Sequence, residues 1–279
     1  MKLPKISGSF LVLLGAICWS LNSPFVKSLT LDPILICALR SLIASMVLLP
    51  FLRPKKIHWN GWLALYCVCY LGLCLSVIIS LTMTSAAIAV GMQYTASIWL
   101  FLLVTFHTKH FNSHLFLPIA VIMAGVLFFM GSGGSGDSDT EGNMIALTEG
   151  IFFAGMSIAS SRATSENALG LTALGNIFIA GLLFVLVPSV REGLPLMTGQ
   201  DWVIMLILGT VQVAGGYGFF NLGIQRISAR KASVLALWEM ILGPLWVALF
   251  LGLYPNPEVL AGFAIILCGI FMDSRLNRA

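Results

Sequence analysis

The chain has 279 residues, of which 58% are hydrophobic and 9% charged, and its formal net charge is +4. A soluble domain carries about 25% charged residues, so this composition excludes a soluble enzyme, a disordered chain and a nucleic-acid-binding domain. Lipid is the main solvent, and the placement of the charges matters more than their sum.

A membrane-spanning helix needs about 20 mostly apolar residues. In chain order the sequence offers ten such runs, at 8–29, 33–52, 61–83, 86–106, 115–131, 144–163, 169–188, 201–223, 231–253 and 257–273. The first follows Lys2 and Lys5 but runs past the length of a secretory signal, and more spans follow it, so it reads as a retained helix. Connections are short except at 132–143, where a Gly/Ser run leads into Asp137, Asp139 and Glu141 and forms a flexible, solvated loop. The six cysteines, Cys18, Cys37, Cys67, Cys69, Cys74 and Cys268, all lie in apolar runs and read as packing residues, with no disulfide or metal site expected.

Lysine and arginine set orientation. With the N-terminus in the cytoplasm, the inner segments hold Lys2, Lys5, Arg53, Lys55, Lys56, Lys109, Arg162, Arg226, Arg230, Lys231, Arg275 and Arg278. The outer side holds Arg191 and Lys27, and Arg40 lies within a span. Both termini are then expected in the cytoplasm of a multi-pass cell-membrane protein, with 132–143 outside.

The sequence also resembles itself. Residues 86–93 parallel 232–239, residues 120–126 parallel 264–270, Trp62 parallels Trp202, and Pro50 parallels Pro188. This divides the chain into a first five-helix repeat at 1–131, the loop at 132–143 and a second five-helix repeat at 144–279. Five is odd, so the second repeat is expected inverted. The expected fold is an all-α membrane protein of ten transmembrane helices, built as two inverted five-helix repeats around a central cavity. Such repeats place a substrate site near the bilayer midplane.

These features together resemble the EamA-type family of the drug/metabolite transporter superfamily. The resemblance covers essentially the whole chain. It rests on the two fives, on Gly15-Ala16-Ile17-Cys18-Trp19-Ser20, on Arg40, on residues 232–244, on Leu251-Gly252, and on Gly262 and Gly269. It implies transport of small polar or amphipathic metabolites, often outward, through a cavity lined by helices one, three, four, six, eight and nine. The sequence departs from the family pattern where Leu253 follows Gly252, where the fourth helix ends in Thr105-Phe106-His107, and where that helix lacks a proline.

A charge inside lipid costs about 2.5–3.5 kcal/mol on insertion scales. Glu239 lies near mid-depth in the ninth span, and its repeat counterpart is Gln93. It is a candidate to bind a cationic substrate group or to carry a coupling proton, against a structural role. Arg40 is a candidate to hold a substrate carboxylate, against a salt bridge in which Glu149 pairs with Arg40 or Lys27. Trp19, beside Ser20, Asn22, Ser23 and Pro24, either walls the cavity or packs among helices. In the eighth span Tyr217 and Asn221 share one face, near Gln212 and the glycines Gly215, Gly216 and Gly218; Ser76 and Ser80 mark the third span. Back-bonding of such side chains to their own helix is the alternative. The substrate-binding candidates are thus Glu239, Gln93, Trp19, Asn22, Tyr217, Asn221, Trp238, Arg40 and Ser76.

No GxxxxGK[ST] phosphate loop is present, and all four histidines fall on or near cytoplasmic segments, so neither an ATP-driven pump nor an intramembrane Ser–His hydrolase is expected. The leading reading is a non-enzymatic secondary transporter of a small organic solute, an amino acid, an amine or similar, working by alternating access as an exporter. It needs no cofactor. Its partners are the solute, the bilayer and, as an open alternative to plain exchange, a coupling proton; the oligomeric state stays open. The rival readings are a membrane-embedded lipid-handling enzyme and a subunit that flips a lipid-linked sugar.

Overall fold

The computed structural model describes residues 7–108, 113–131, 140–164, 166–227, 232 and 235–276. Most of the expected acidic loop (132–139), together with Lys2, Lys5, Lys109, Arg230, Lys231 and Arg278, lies outside the described residues. Among the described residues every regular element is a helix. In lipid this follows from the backbone itself, because each N–H and C=O must be satisfied within its own segment.

The first half comprises α1 (Gly8–Ser20), α2 (Asn22–Ser28), α3 (Pro33–Leu48), α4 (Gly61–Met83), α5 (Ala86–Gln93), α6 (Ala96–Thr108) and α7 (Ser113–Gly131). The second comprises α8 (Thr140–Ala163), α9 (Ala168–Leu186), the short α10 (Pro188–Gly193), α11 (Gly199–Ile207), α12 (Gly216–Ile224), α13 (Trp238–Leu251) and α14 (Pro257–Leu276). A π-helical stretch, Leu208–Gly215, joins α11 to α12. Among the described residues seven helical segments are long and apolar enough to cross a membrane, and Phe116–Phe128, Trp238–Leu251 and Pro257–Met272 are shorter apolar helices. The boundaries follow the sequence expectation closely. Two starts differ: α8 begins at Thr140, inside the segment expected as loop, and α13 begins at Trp238, inside the run expected from 231.

Local chemistry fixes the ends and the breaks. Ser7, Asp32, Asn60, Ser85 and Asn167 each cap a helix by accepting from a first-turn amide. Pro24 has no N–H, so the Ser20 carbonyl lacks its helical donor and the chain turns at Leu21 between α1 and α2. The fourth span breaks at Tyr94–Thr95 without a proline. There the Thr95 hydroxyl donates to the Met92 carbonyl at 2.7 Å, and the amides of Tyr94 and Thr95 make tight bonds to Gly91 and Met92. The ninth span is interrupted at Leu237.

The helices pair across the halves. The first span packs on the eighth (α1 on α12), and the third packs on the sixth (α4 on α8). The second packs on the seventh (α3 on α9), and the fifth on the tenth (α7 on α14). Exchanging the halves maps the first pairing onto the second and each of the others onto itself. The α7–α14 contact shows this at atomic detail. A Cβ added at Gly125 would lie 2.5 Å from Ile266 Cγ1, and one added at Gly269 would lie 2.6 Å from Ile122 Cγ1. These are equivalent positions of the aligned segments 120–126 and 264–270. At the ends predicted to be cytoplasmic, the segment after α3 is tied to the segment after α8. His58 N–H donates to Ala163 O at 2.8 Å, Thr164 Oγ1 to Lys56 O at 2.7 Å, and Asn167 Nδ2 to Arg53 O at 3.3 Å. The Lys56 ammonium pairs with Glu166 and holds that exposed carboxyl below its ordinary range.

The glycine contacts make the α7–α14 seam testable. Gly125→Leu should destabilise the protein by about 1–3 kcal/mol of overpacking and lower its unfolding temperature in detergent. Gly181→Leu, at a position where an added Cβ meets nothing within 4 Å, should leave it unchanged.

Candidate functional site

A chain of aromatic rings links α1, α12 and α4. Gly216 on α12 lets Trp19 lie directly over the helix backbone, where any Cβ would collide with the indole. Trp19 then meets Tyr217 edge-on, with ring centroids 5.1 Å apart at 71°, and Phe220 at 4.8 Å. Tyr217 meets Tyr70 of α4 edge-on at 6.3 Å, and Tyr70 lies 5.6 Å from Tyr66. Asn176 of α9 donates to the Tyr70 hydroxyl at 3.0 Å. The Trp246 indole donates to Ser20 Oγ at 3.0 Å, tying α13 to the end of α1.

Arg40 sits beside this chain. It is 4% exposed, and its Nη1 donates to Asn22 Oδ1 at 2.9 Å. Its Nε has no hydrogen-bond partner. The ionisable groups around it are Cys37, Cys74, Tyr70 and Tyr217, and no carboxylate is among them. The expected salt bridge with Glu149 is therefore not formed. Glu149 bonds Ser80 instead, and Lys27 donates to the Thr84 carbonyl at 2.8 Å. The reason is separation: Arg40 faces Asn22 across the α1–α2 turn, while Glu149 faces α4.

Glu239 occupies the first turn of α13, where the positive end of the helix dipole favours an acid. It is half-buried, and its Oε2 accepts from the Tyr94 hydroxyl at 3.2 Å. The break after α5 supplies this contact, because it turns Tyr94 rather than Gln93 toward α13. Tyr217 lies within electrostatic range of both Glu239 and Arg40. The result is a buried cation from the first half and an acid from the second, with Tyr217 within reach of both.

Of the nine residues expected at the site, Trp19, Asn22, Arg40, Tyr217 and Glu239 are brought to this cluster. Gln93 is half-buried at the end of α5 and makes no hydrogen bond to Glu239. Trp238 is 46% exposed on the outer face of α13. The Asn221 amide donates to the Tyr217 carbonyl at 2.8 Å, and the Ser76 hydroxyl bonds Gly72 O at 2.8 Å, so both are back-bonded to their own helices. Tyr94, Tyr70, Cys74 and Asn176 join the site from outside these nine. Tyr66, Tyr70 and Cys74 recur every four residues on one face of α4, which is the sequence signal that points to two of these residues, Tyr70 and Cys74. A separate cavity of about 220 Å³ lies nearer Lys27, lined among others by Ser85, Pro244, Tyr254 and Asn256.

The model of the EamA-like transporter family matches residues 6–131 and again residues 140–274. The chain belongs to the EamA-like transporter family. It is accordingly a multi-pass membrane protein of transporter type, carrying the family unit twice. Thirteen solved protein chains match it in structure. One, described only as the crystal structure of a protein, is 18% identical, covers 98% of this chain and 99% of its own, and aligns with a TM-score of 0.63. That likeness concerns the fold. No curated protein matches the chain.

The Arg40–Asn22 bond gives the transporter a measurable weak point. Asn22→Ala leaves a buried guanidinium short of its acceptor, which should cost about 1–3 kcal/mol or more and lower the unfolding temperature in detergent. Asn22→Asp supplies an anionic acceptor in nearly the same place and should keep or raise it.

Proposed function

We propose that this transporter moves a small amphipathic metabolite bearing an amino group and an acidic group, an amino acid or a close relative, across the cytoplasmic membrane by alternating access, and that it works as an exporter. One observation carries the reading: Arg40 and Glu239, unlike charges from different halves, both lie within reach of Tyr217 in the Trp19–Tyr217–Tyr70 chain and are not paired with each other. Arg40 offers a planar donor fork that fits a carboxylate. Glu239 offers an acceptor to an ammonium, and the rings take up an apolar side chain and the cationic group. The outward direction rests on the habit of the family.

The mechanism follows from two halves that share one site. The seven long and three shorter apolar helices support ten crossings. With an odd number of crossings in each repeat, the second half stands inverted, and the exchange of pairings between the halves supports a twofold axis in the membrane plane. Both termini then lie in the cytoplasm, where the lysine and arginine bias places them. Rocking one half against the other turns the same site from one face of the membrane to the other. The interrupted fourth and ninth spans and the π-helical stretch of the eighth lie at that seam, where backbone can rearrange at low cost.

Counterflow of labelled L-phenylalanine in proteoliposomes tests the reading. The wild type should exchange it. Glu239→Gln and Arg40→Gln should each weaken its half-saturation at least about 30-fold, equal to about 2 kcal/mol of lost charge pairing. Exchange unchanged in both variants would remove these residues from the site.

A further inference from the structure

Among the described residues Glu149 is a fully buried acid that the substrate site does not use. It lies nine residues into α8, about 14 Å along the helix axis at 1.5 Å per residue. It is fully buried, as is Ser80 on the facing helix α4. The glycines of this interface bring the helices close: a Cβ at Gly72 would lie 2.5 Å from the Phe152 ring, and one at Gly155 would lie 2.7 Å from Cys69 Sγ.

The hydrogens decide the state of this acid. Ser80 Oγ lies 2.6 Å from Glu149 Oε1 and 3.1 Å from the Val77 carbonyl, and a hydroxyl has one hydrogen to give. Glu149 Oε2 has no partner at all. An ionised Glu149 would take the serine hydrogen, leave Val77 without it, and keep a full charge on a single hydrogen bond in a sealed, lipid-embedded interface. That is a costly arrangement. A neutral Glu149 donates its own proton to Ser80 Oγ, and Ser80 donates to Val77. Every hydrogen is then used, no charge is buried, and only a carbonyl lone pair goes unmet. The 2.6 Å separation suits an O–H donor.

The groups around it offer no counter-ion. From α4 come Ser80 and the ionisable Tyr66, Tyr70, Cys67, Cys69 and Cys74; α5 and α9 contribute no titratable side chain; Tyr94 follows α5 and is engaged with Glu239. Gly150, beside Glu149, packs on Thr95 and Ala96 at the start of α6, whereas His107 belongs to the opposite end of α6 and His114 to the first turn of α7. Glu239 is connected to this neighbourhood through Tyr94, which follows α5, and α5 packs on both α8 and α13.

We propose that Glu149 carries the proton that couples transport, held as a neutral acid on Ser80 in this conformation and released when a cationic substrate group occupies Glu239. The inference rests on the transporter reading above. Two negative charges at Glu149 and Glu239 oppose each other. An ammonium on Glu239 lifts that opposition, so substrate binding and proton release favour one another, as linkage requires. The step breaks the Glu149 O–H bond and hands the proton to water once the α4–α8 interface admits it, leaving a carboxylate that is reprotonated from the other side. No redox partner is involved. Glu239 is thus assigned to the substrate, and Glu149 to the driving ion.

Infrared difference spectroscopy of the protein in lipid, at neutral pH and without substrate, tests the assignment directly. Subtracting Glu149→Gln from the wild type should reveal the C=O stretch of a protonated carboxyl. That band should persist in Glu239→Gln and shift in Ser80→Ala, where its acceptor is gone. In proteoliposomes, Glu149→Gln should retain L-phenylalanine counterflow and lose accumulation driven by a pH gradient. Should the glutamine variant not fold, the band shift in Ser80→Ala decides alone. A carboxylate band in place of the protonated one, or gradient-driven accumulation equal to wild type in Glu149→Gln, overturns the proton assignment. A wild type that moves none of the amino acid overturns the transport reading instead, and leaves the infrared result to judge Glu149 independently.

Discussion

A charge surrounded by lipid must be met within the protein, neutralised, or met by a ligand. Three charged positions inside this bundle use three different answers, and much of the architecture serves them. Arg40 is met in part by Asn22, which the Pro24 turn brings across from α2. Glu239 is met by Tyr94, which the break after α5 turns toward α13. Glu149 meets neither base and rests on a serine. In each case an irregularity in a helix, or a close helix contact allowed by glycine, places the partner.

The two halves divide the chemistry. The first supplies the guanidinium and most of the aromatic wall; the second supplies both acids and Tyr217. In the proposed alternating-access cycle, movement of one half against the other would change the distance between Arg40 and Glu239, which come from different halves. His58, Lys56, Thr164 and Asn167 tie the halves together at one end, and the glycine contacts of α7 and α14 join them at another.

Much of this was legible in the sequence, for identifiable reasons. Apolar length places the spans, since lipid leaves the backbone little choice. The repeat shows itself in aligned short motifs, and Gly125 and Gly269 prove to be reciprocal contacts. Glu239 is visible by depth alone, and Trp19 by the polar patch before Pro24. The break at Tyr94–Thr95 was not legible, because it comes from a threonine bonding its own helix rather than from a proline. Tyr70 and Asn176 look like ordinary residues of apolar runs, and only the packing of α4 on α9 joins them. Glu149 was misassigned by the rule that buried charges pair. Trp238 faces outward because its neighbour Glu239 faces in, about 100° away on the helix.

The central claim is that unlike charges from the two halves read the two ends of one small molecule. Isothermal titration of the purified protein with L-phenylalanine, with its decarboxylated amine and with its deaminated acid tests this most directly. The account predicts that the zwitterion binds and that loss of either charged group weakens binding at least about 30-fold, the equivalent of about 2 kcal/mol. Equal affinity for all three, or binding of the apolar ring alone, would contradict it.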